Sequence, residues 1–465
     1  MPLQDFIHEL GDVPHTTDDM AVRAKSRDMS GFFSPILKDD AKGKYAEIVV
    51  SPRDRGDMVR VARAAYRSRT PLICRGAGTC NFGQGIPLAG GAIVDITAMN
   101  RILWTKDRAV RAEPGVLLED LDRHTQQAVG GELRMHPSTR KTATLGGYIG
   151  GGHVGIGSCA WGILRDRGNI LGMRVLSVED EPRVVELRGA EVNRVHHAYG
   201  TNGIMLEIEM PLAPAYRWLE AIVSFPDFMQ ASRFAVSLCE SDGMIIKLAS
   251  VFGWPYQQWL KPLAPYFREG EHTVHVMVVE DYRDTLEWVV KDHGGQVVYS
   301  GLEGTAEFGP LYEYSFGHAG LHARRTVPTL VGNLGLFPPD DLLGSIERVY
   351  RRFGHLGPFQ YDMKRIDGRL TGQGAPTFPF VDAPHVERVV AEMEEEGLRF
   401  ANIHTLHVRE SGMKPVDDAE IAFKRSMDPL NLLNPGKLTA DEVGEPEKGR
   451  GVDLPTSGWR YTQTA

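Results

Sequence analysis

Several features that assign many sequences to a common class of protein are missing here. The 465 residues include four cysteines, and none of them forms a CxxC pair with the spacing of a metal or redox site. No apolar run approaches the roughly 18 to 20 residues of a membrane span. The first ten residues carry Asp5 and Glu9, where a signal peptide needs positive charge. These absences argue against secretion and membrane insertion, so we expect a cytoplasmic protein.

An excess of positive charge is also absent. The chain has 52 Lys and Arg against 61 Asp and Glu, with a net charge of −9 and no basic stripe, which argues against a nucleic-acid partner. A Walker A loop is missing, so ATP or GTP hydrolysis has little support. The Glu of an HExxH motif is missing as well, which disfavours a zinc hydrolase. We therefore predict no metal site.

Glycine, in contrast, is abundant and concentrated. Of 51 glycines, many lie in RGAGTCNFGQGIPLAGG (75–91) and TATLGGYIGGGHVGIG (142–157), which follow or lie between predicted strands. Glycine tolerates positive φ and lets a ligand approach the main chain, so exposed amides can converge on an anion. The two segments therefore predict a phosphate site, with simple turns as the alternative. The GxGxxG match in 150–155 follows a polar stretch of sequence instead of a predicted strand, so we reject a Rossmann fingerprint.

The chain is longer than the roughly 250 to 300 residues at which single cores stop growing, so we expect two or more units. The first 210 residues are predicted to be mixed α/β, and Asp54 to Ser68 has the spacing of a buried helical stripe. Two prolines in PLAPAYRW (211–218) are expected to interrupt any regular element and to mark a domain boundary. Two successive β-α-β units then fit a ferredoxin-like antiparallel sheet. A helix from 417 is stopped at Asp428, and the tail beyond Thr439 is predicted to be irregular.

Four motifs resemble those of the vanillyl-alcohol oxidase / p-cresol methylhydroxylase (PCMH-type) flavoprotein family. RGAGTCNFGQGIP resembles its pyrophosphate loop RGxGTSxxGxxxP, and PSTRKTATLGGYIGGG resembles its second loop PSTxxxATIGGxI. YGTNGIMLEIEMPLAP (199–214) is similar to the GTxGIIxxxxLxLxP segment. DPLNLLNPGKL (428–438) is similar to the DPxNxxNPGK ending of the lactate-dehydrogenase-like branch of FAD-linked oxidases. With the strands between them, the motifs cover about half the chain in the family's order.

This resemblance implies an α+β fold with a two-part PCMH-type FAD-binding domain and an inserted ferredoxin-like substrate (cap) domain. The implied boundaries are 1–213 for the FAD domain, 214–410 for the cap and 411–465 for a C-terminal segment that returns to the FAD domain. The implied FAD contacts in the first loop are Gly76, Ala77, Gly78, Thr79, Cys80 and Asn81. Those in the second loop are Pro137, Ser138, Thr144, Gly146, Gly147 and Ile149. Ile204 would pack beside the flavin, and Asn434 and Lys437 would approach it from the tail.

The sequence departs from the family in ways that bear on function. Thr79 stands where members that tether flavin to the first loop have a His, and no Cys lies between 81 and 158 for a second tether. We therefore expect non-covalent FAD, while attachment through a cap-domain His stays open. The HxGDGN and GEHG segments of the family's 2-hydroxy-acid dehydrogenases are missing. D-lactate or glycolate is accordingly not the expected substrate.

Candidate catalytic residues lie in three segments. His153 lies in the second glycine loop, where the chain must run beside the cofactor. LYEYSFGHAGLHARR (311–325) is dense in polar and aromatic residues without helical or strand periodicity, and its candidates are Tyr312, His318 and Arg325. NIHTLHV (402–408) is predicted to be a strand on which His404 and His407 point to opposite faces, which favours His404 together with Asn402. Surface or turn positions are the alternative for each.

Together these features predict an FAD-linked oxidase or dehydrogenase with a small-molecule substrate. Flavin supplies the redox chemistry, so the protein needs to place a C–OH or benzylic C–H over flavin N5 and supply a base. Oxygen or another carrier would take the electrons afterwards. The alternatives are a flavoprotein reductase or non-redox flavin enzyme on the same fold, and a non-catalytic nucleotide-binding module. Whether the chain forms a homo-oligomer stays open.

Overall fold

The computed structural model describes residues 2–438. The tail beyond Thr439, for which the sequence predicts irregular structure, lies outside these residues, so that 439–465 of the predicted 411–465 segment is not described. We call residues 2–214 the N-terminal lobe. Its helices are α1 (Pro2–Leu10), α2 (Asp19–Lys25), α3 (Ser30–Phe33), α4 (Pro35–Asp40), α5 (Arg55–Ser68), α6 (Leu118–Val129), α7 (Leu145–Gly151) and α8 (Ser158–Trp161). Its strands are β1 (His15–Thr16), β2 (Ile48–Val50), β3 (Leu72–Arg75), β4 (Ala92–Asp95), β5 (Ile102–Lys106), β6 (Ala109–Ala112), β7 (Gly131–Leu133), β8 (Gly172–Leu176), β9 (Val184–Arg188) and β10 (Ile204–Pro214).

The first sheet of the N-terminal lobe has the order β1-β2-β4-β3, in which β2 and β3 both run parallel to β4. Helix α5 connects β2 to β3, as the sequence predicts. The side chain of Asp54 caps it by accepting a hydrogen bond from the Asp57 amide at 2.9 Å. Met58, Val61 and Ala62 are fully buried against the sheet. The first glycine segment therefore begins at the carboxyl end of a parallel strand, where open α/β sheets bind ligands.

The second sheet has the order β5-β6-β10-β8-β9, with β7 paired to the end of β10, and its pairs are antiparallel. Strand β10 continues through Pro211 to Pro214, so the expectation that prolines interrupt every regular element here is wrong. The strand continues because Leu212, which lies between the two prolines, still forms an inter-strand hydrogen bond. Its amide donates to the Arg108 carbonyl at 2.7 Å.

Residues 218–401 form the central lobe. Its helices are α9 (Phe228–Glu240), α10 (Arg283–Asp292), α11 (Phe316–Thr326), α12 (Leu342–Phe353) and α13 (Ala383–Glu395). Its strands are β11 (Trp218–Phe225), β12 (Ile246–Phe252), β13 (His272–Val279), β14 (Gln296–Leu302), β15 (Leu330–Val331), β16 (Leu334–Leu336), β17 (Phe359–Ile366), β18 (Arg369–Pro376), β19 (Phe378–Pro379) and β20 (Arg399–Ala401).

One antiparallel sheet dominates the central lobe, in the order β14-β11-β13-β12-β17-β18-β16-β20. Its first four strands, with α9 and α10, form the β-α-β-β-α-β unit that the sequence predicts as ferredoxin-like. The predicted ferredoxin-like sheet is confirmed, and four further strands extend it. Its core packs α9, α10, α12 and α13 on one face. The opposite face of β17, β18 and β16 does not take part in this core packing.

The C-terminal segment packs on the N-terminal lobe. It contains α14 (Val408–Ser411) and α15 (Asp418–Met427), and α15 ends just before Asp428 and Pro429, as predicted. The Asp428 carboxylate accepts hydrogen bonds from the amides of Leu432 and Leu433 at 2.9 and 2.7 Å. Leu432 in turn accepts from the Leu72 amide of β3 at 2.7 Å. Within residues 2–438, no helix combines the length and apolar character needed to cross a bilayer.

A buried ion pair joins the two lobes. The Lys247 ammonium of β12 lies 3.2 Å from the Glu132 carboxylate of β7, and both side chains are almost fully buried. The Trp218 indole donates to the same carboxylate at 3.0 Å, and the ammonium lies 4.7 Å from the centre of the indole ring. Burial raises the pKa of Glu132, and Lys247 opposes that rise.

We expect Lys247→Met to lower the free energy of unfolding by about 3 to 5 kcal/mol, because it leaves a carboxylate buried without its cation. The double variant Glu132→Gln/Lys247→Met should recover most of this loss, since the carboxamide oxygen still accepts from Trp218. Urea unfolding followed by circular dichroism measures both. Equal losses in the single and double variants would contradict an ion-pair role.

Candidate functional site

A cavity of about 1280 Å³ lies between the two lobes. The N-terminal lobe supplies the loop after β3, the loop before α7 and the turn after α7. The central lobe supplies α11, β16, β17 and β18, and the C-terminal segment closes another side around 409–416. Pockets for one drug-sized ligand measure roughly 300 to 1000 Å³. This cavity therefore has room for a large cofactor together with a second molecule.

The two glycine segments touch each other beside this cavity. A Cβ placed on Gly76 would lie 2.0 Å from the Thr144 hydroxyl oxygen, so only glycine permits the contact. A Cβ on Gly151 would lie 3.9 Å from the Cys80 sulfur. Gly78 has a φ of +74°, the left-handed region that favours glycine, and it turns the first loop toward Thr79. Two stretches almost seventy positions apart thus form one surface.

The second segment is a short helix instead of an extended loop. Thr144 caps α7 by accepting from the Gly147 amide at 3.2 Å. The Leu145 and Gly146 amides donate to the carbonyls of Val116 and Pro114, at 2.9 and 2.7 Å. A Cβ on Gly146 would lie 2.6 Å from the Pro114 Cβ, so this glycine serves close packing. These bonds fix α7 against the strand connection behind it.

The tail residues hold the first glycine loop from behind. The Asn434 carboxamide donates to the carbonyls of Gln84 and Tyr199, at 3.0 and 2.7 Å. The Lys437 ammonium donates to the Gly83 carbonyl at 2.6 Å, and burial lowers the pKa of this lysine to about 7. The fourth motif is therefore tied to the first and third motifs by hydrogen bonds to main-chain carbonyls.

The residues for which the resemblance implies FAD contacts fall into three groups. Thr79, Asn81, Pro137 and Ser138 line the cavity. A second group lies in the touching loop segments next to it, namely Gly76, Ala77, Gly78, Cys80, Thr144 and Gly147. A third group lies behind these loops: Gly146, Asn434 and Lys437 make the contacts described above, and Ile149 and Ile204 are buried in the cores of the second and first sheets.

The chemistry of this wall fits a dinucleotide cofactor. Hydroxyls of Thr79, Ser138, Thr139 and Thr142 and the Asn81 carboxamide face the cavity, and all can donate to phosphate oxygens. Glycine at position 76 lets the first loop pack directly on Thr144, and glycine at position 78 lets it turn there. Hydroxyl and amide donors on a glycine-rich surface are a recurrent way to bind a diphosphate.

Two of the five candidate catalytic residues line the cavity. They are His153, in the turn after α7, and His318, on α11. Burial lowers the pKa of each imidazole to about 4, so both are neutral at pH 7 and can accept a proton. The His153 ring would lie 3.1 Å from a Cβ on Gly151, the residue that also approaches Cys80. His153 therefore lies where the two glycine segments meet.

The other three candidates do not line the cavity. Tyr312 is fully buried, and its ring centre lies 4.9 Å from that of His136. Arg325 is exposed on α11. His404 lies behind Asn333, a residue that lines the cavity. Its Nε2 is 3.3 Å from the carboxamide oxygen of Asn333, and its Nδ1 is 2.8 Å from the Ser34 hydroxyl.

Two predictions about the local structure of these segments are wrong. Residues 316–326 form helix α11, although the sequence shows no helical periodicity there. Its glycines pack on the N-terminal lobe, since a Cβ on Gly320 would lie 3.7 Å from the Phe33 ring. The predicted strand at 401–408 ends at Ala401. A turn follows because the Asn402 side chain accepts from the His404 amide at 2.9 Å, and His404 and His407 therefore share no strand.

The sequence analysis missed a polar row on β17. Gln360, Asp362 and Lys364 alternate along the strand and all face the cavity, while Tyr361 and Met363 point into the core. This period-two pattern in FQYDMKRI is the signal that could have identified them. The Asp362 carboxylate accepts from the Ser250 hydroxyl at 2.5 Å and from the Phe316 amide at 3.2 Å, and burial raises its pKa.

Lys364 is the unusual member of this row. Its side chain is almost fully buried, and its ammonium donates to the carboxamide oxygen of Gln373 on β18. The ammonium lies 5.7 Å from the centre of the Phe316 ring. Burial lowers the pKa of Lys364 to about 8. Among residues 2–438, no carboxylate lies within ion-pair distance of this ammonium, although the Asp362 carboxylate on the same face of β17 opposes the effect of burial on its pKa.

Comparison with known proteins agrees with this geometry. The family described as FAD binding domain matches residues 46–209. Glycolate oxidase subunit GlcD of Bacillus subtilis (strain 168) is 25% identical over 457 residues, which cover 88% of this chain and 93% of that protein. D-lactate dehydrogenase of Anaerostipes hadrus is 26% identical over 43% of this chain and 39% of its own length. D-2-hydroxyglutarate dehydrogenase of Escherichia coli (strain K12) is 34% identical over 30% of this chain and 14% of its own.

Solved structures support the fold. Alkyldihydroxyacetonephosphate synthase superposes with a TM-score of 0.69 over 93% of this chain and 85% of that one, at 14% sequence identity. This likeness concerns the fold alone. In the part of the chain that the structure describes, no group of three or more His, Cys, Asp or Glu side chains could hold a metal ion.

We expect Gly76→Ala to weaken FAD binding at least tenfold, because its methyl group would fall 2.0 Å from the Thr144 hydroxyl and separate the two segments. Gly85→Ala in the same loop is the matched control, since a Cβ there meets no atom within 4 Å. The measurement is the yellow FAD released by acid precipitation of each purified protein, which also tests non-covalent attachment. Equal FAD content in both variants would contradict the contact's role.

The motifs, the two-part fold around an inserted ferredoxin-like sheet, the paired glycine segments and the comparisons agree on one cofactor and one class of enzyme. The matching domain covers the first loop, the second loop and most of the strand that carries the third motif. The relatives named above are oxidases and dehydrogenases. Residues 46–209 match the FAD binding domain family, and the chain is an FAD-dependent oxidoreductase with the PCMH-type FAD-binding fold.

Proposed function

We propose that this enzyme oxidises the hydroxyl group of a hydroxy carboxylate in the cavity between the lobes. The observation that carries the proposal is Lys364, a buried cation on the cavity wall with no ion-pair partner among residues 2–438. A buried charge is costly unless it is paired. A substrate carboxylate supplies the missing partner, and the Gln373 carboxamide holds the ammonium in place for it.

The names of the relatives favour the same chemistry. Glycolate, D-lactate and D-2-hydroxyglutarate each carry a hydroxyl group beside a carboxylate. We carry over only this shared feature and none of the three acids, because the HxGDGN and GEHG segments are missing from this chain. The proposal thus takes the donor class from the relatives and its anchoring residue from the cavity.

When bound, FAD would supply the acceptor for the hydride that leaves the carbinol carbon. The residues proposed to hold it are Thr79, Asn81, Pro137 and Ser138. The hydroxyl proton goes to His153, which is neutral at pH 7 because burial keeps its pKa near 4. The substrate thereby loses one hydride and one proton, and its C–OH becomes a carbonyl. Lys364 holds the carboxylate throughout and takes no proton.

Three further points belong to the proposal. Oxygen or another carrier takes the electrons from the reduced enzyme. The enzyme acts in the cytoplasm, as a monomer or as a homo-oligomer. The boundaries of the FAD and cap domains lie at 213 and 410. Stopped-flow reoxidation with and without oxygen separates an oxidase from a dehydrogenase.

The first test is the role of Lys364. We expect Lys364→Met to raise KM for a hydroxy carboxylate about 10- to 100-fold with a smaller fall in kcat, because a charge-assisted hydrogen bond of about 1.5 to 3 kcal/mol is lost. Anaerobic bleaching of the flavin absorbance with a panel of 2-hydroxy acids measures this. Lys261→Met, at an exposed position in the same lobe, is the control. An unchanged KM in Lys364→Met would contradict the proposal.

The second test is the pH profile. The reaction needs neutral His153 and cationic Lys364, so kcat/KM should rise as pH increases through about 4 and fall as it increases through about 8. In Lys364→Arg the alkaline fall should disappear, because a guanidinium stays protonated across this range. His153→Asn should lower kcat about 100-fold or more. An alkaline limb that is identical in Lys364→Arg and the parent protein would remove Lys364 from the binding step.

A further inference from the structure

A row of four directly paired residues crosses the part of the cavity formed by the central sheet. Asp362 of β17 pairs with Gln373 of β18, Gln373 with Leu336 of β16, and Leu336 with Arg399 of β20. All four line the cavity. Neighbouring strands lie about 4.8 Å apart, so Leu336 is roughly 10 Å from the polar row on β17. Along this row the wall passes from the polar residues Asp362 and Gln373 to the apolar Leu336, and it ends at the exposed Arg399.

The apolar end of this wall forms a compartment lined by six side chains, which we call the apolar compartment. Its members are Met29, Phe33, Leu321, Leu330, Leu334 and Leu336. All except Leu330 are only partly buried, and all six line the same cavity. Leu334 and Leu336 are two residues apart on β16 and share a face. Half-exposed apolar side chains that converge on one space favour an apolar ligand group there.

Two features of α11 keep this compartment apolar and open. Gly317 and Gly320 place α11 beside the Phe33 ring, since a Cβ on either would lie at ordinary contact distance from it, 4.0 or 3.7 Å. The Arg324 guanidinium lies in the wall but donates to the carbonyls of Phe33 and Leu330, at 3.1 and 2.5 Å. Its hydrogen-bonding capacity is used by the main chain. The charge of Arg324 is thus committed to holding the wall together, while Arg399 lies at the exposed end of the row.

We infer that the substrate is an amphipathic hydroxy acid, with its carboxylate at Lys364 and an apolar medium-length chain or aromatic group in the apolar compartment. This inference rests on the proposed function, which supplies the carboxylate at Lys364. Acids as small as glycolate and lactate leave the compartment unfilled, because it begins roughly 10 Å from the polar row. Burial of each additional methylene group should strengthen binding about fourfold until the compartment is full.

The experiment uses the FAD-loaded enzyme and straight-chain carboxylates without a hydroxyl group, which bind without turnover. Dissociation constants for acetate, butanoate, hexanoate and octanoate are measured by titration calorimetry. We expect the dissociation constant to fall about fourfold for each methylene group that reaches the apolar compartment, with an upper bound of about 4000-fold over the six methylene groups between acetate and octanoate. Anaerobic flavin reduction by lactate, 2-hydroxyhexanoate and 2-hydroxyoctanoate should follow the same order in kcat/KM.

Variants localise the effect. Leu336→Gln should weaken octanoate binding at least tenfold and leave acetate binding unchanged, which a general loss of folding would not do. Leu103→Gln, at an exposed position outside the cavity, is the matched control and should change neither. Leu334→Gln gives a second reading of the same wall if Leu336→Gln expresses poorly.

The outcomes separate the two proposals. Affinity that is independent of chain length would overturn the inference, and a higher dissociation constant for acetate in Lys364→Met would then still support the proposed function. Chain-length dependence that survives in both leucine variants would also overturn the inference, because it would place the apolar group elsewhere. If Lys364→Met changes neither binding nor KM, the proposed function fails independently of chain length.

Discussion

The site depends on one contact that leaves no room for a side chain, the approach of Gly76 to Thr144. Thr144 is fixed twice, as the cap of α7 and through the bonds of α7 to Val116 and Pro114. Gly76 is fixed as the first residue after a parallel strand. Because both partners are held by regular structure, the position of the first loop relative to the second is determined to within a few tenths of an ångström. The hydroxyls and the carboxamide that face the cavity take their positions from this contact.

The substrate side of the cavity is determined by a different element. The ferredoxin-like unit provides half of an eight-stranded sheet, and the strands added to its edge carry the residues that face the N-terminal lobe. Successive residues on a strand point to opposite faces, so Tyr361 and Met363 anchor β17 in the core while Asp362 and Lys364 face the cavity. Core packing and substrate contact are thus built into the same eight residues.

Much of the fold could be predicted from local patterns. The apolar stripe of α5, its Asp54 cap and the β-α-β order of the central lobe are local patterns, each of which lies within one stretch of the sequence. The errors arose where distant residues decide. Helix α11 contains two glycines, which have low helix propensity, and their packing against Phe33 and Asn81 cannot be read from residues 311–325. The turn at 402–407 buries Leu406 against Gly83, a contact across more than three hundred positions.

The candidate site was predicted unevenly for the same reason. Glycine and hydroxyl residues of the first two motifs lie in or beside the cavity because their spacing is a property of the loops themselves. Lys364 went unnoticed because a lysine on a strand is ordinary until the neighbouring lobe buries it. Asn434 and Lys437 belong to the expected region, but their side chains are engaged with carbonyls of Gly83, Gln84 and Tyr199.

The bonds from Asn434 and Lys437 to the first glycine loop also impose an order on biogenesis. This loop is translated early, yet two of the hydrogen bonds that support it come from side chains about 350 positions later. The nascent N-terminal lobe therefore stays incomplete on the ribosome until the central sheet has emerged and the strand partner Leu432 has reached β3. The first glycine loop therefore gains this support only after the central lobe has been synthesised.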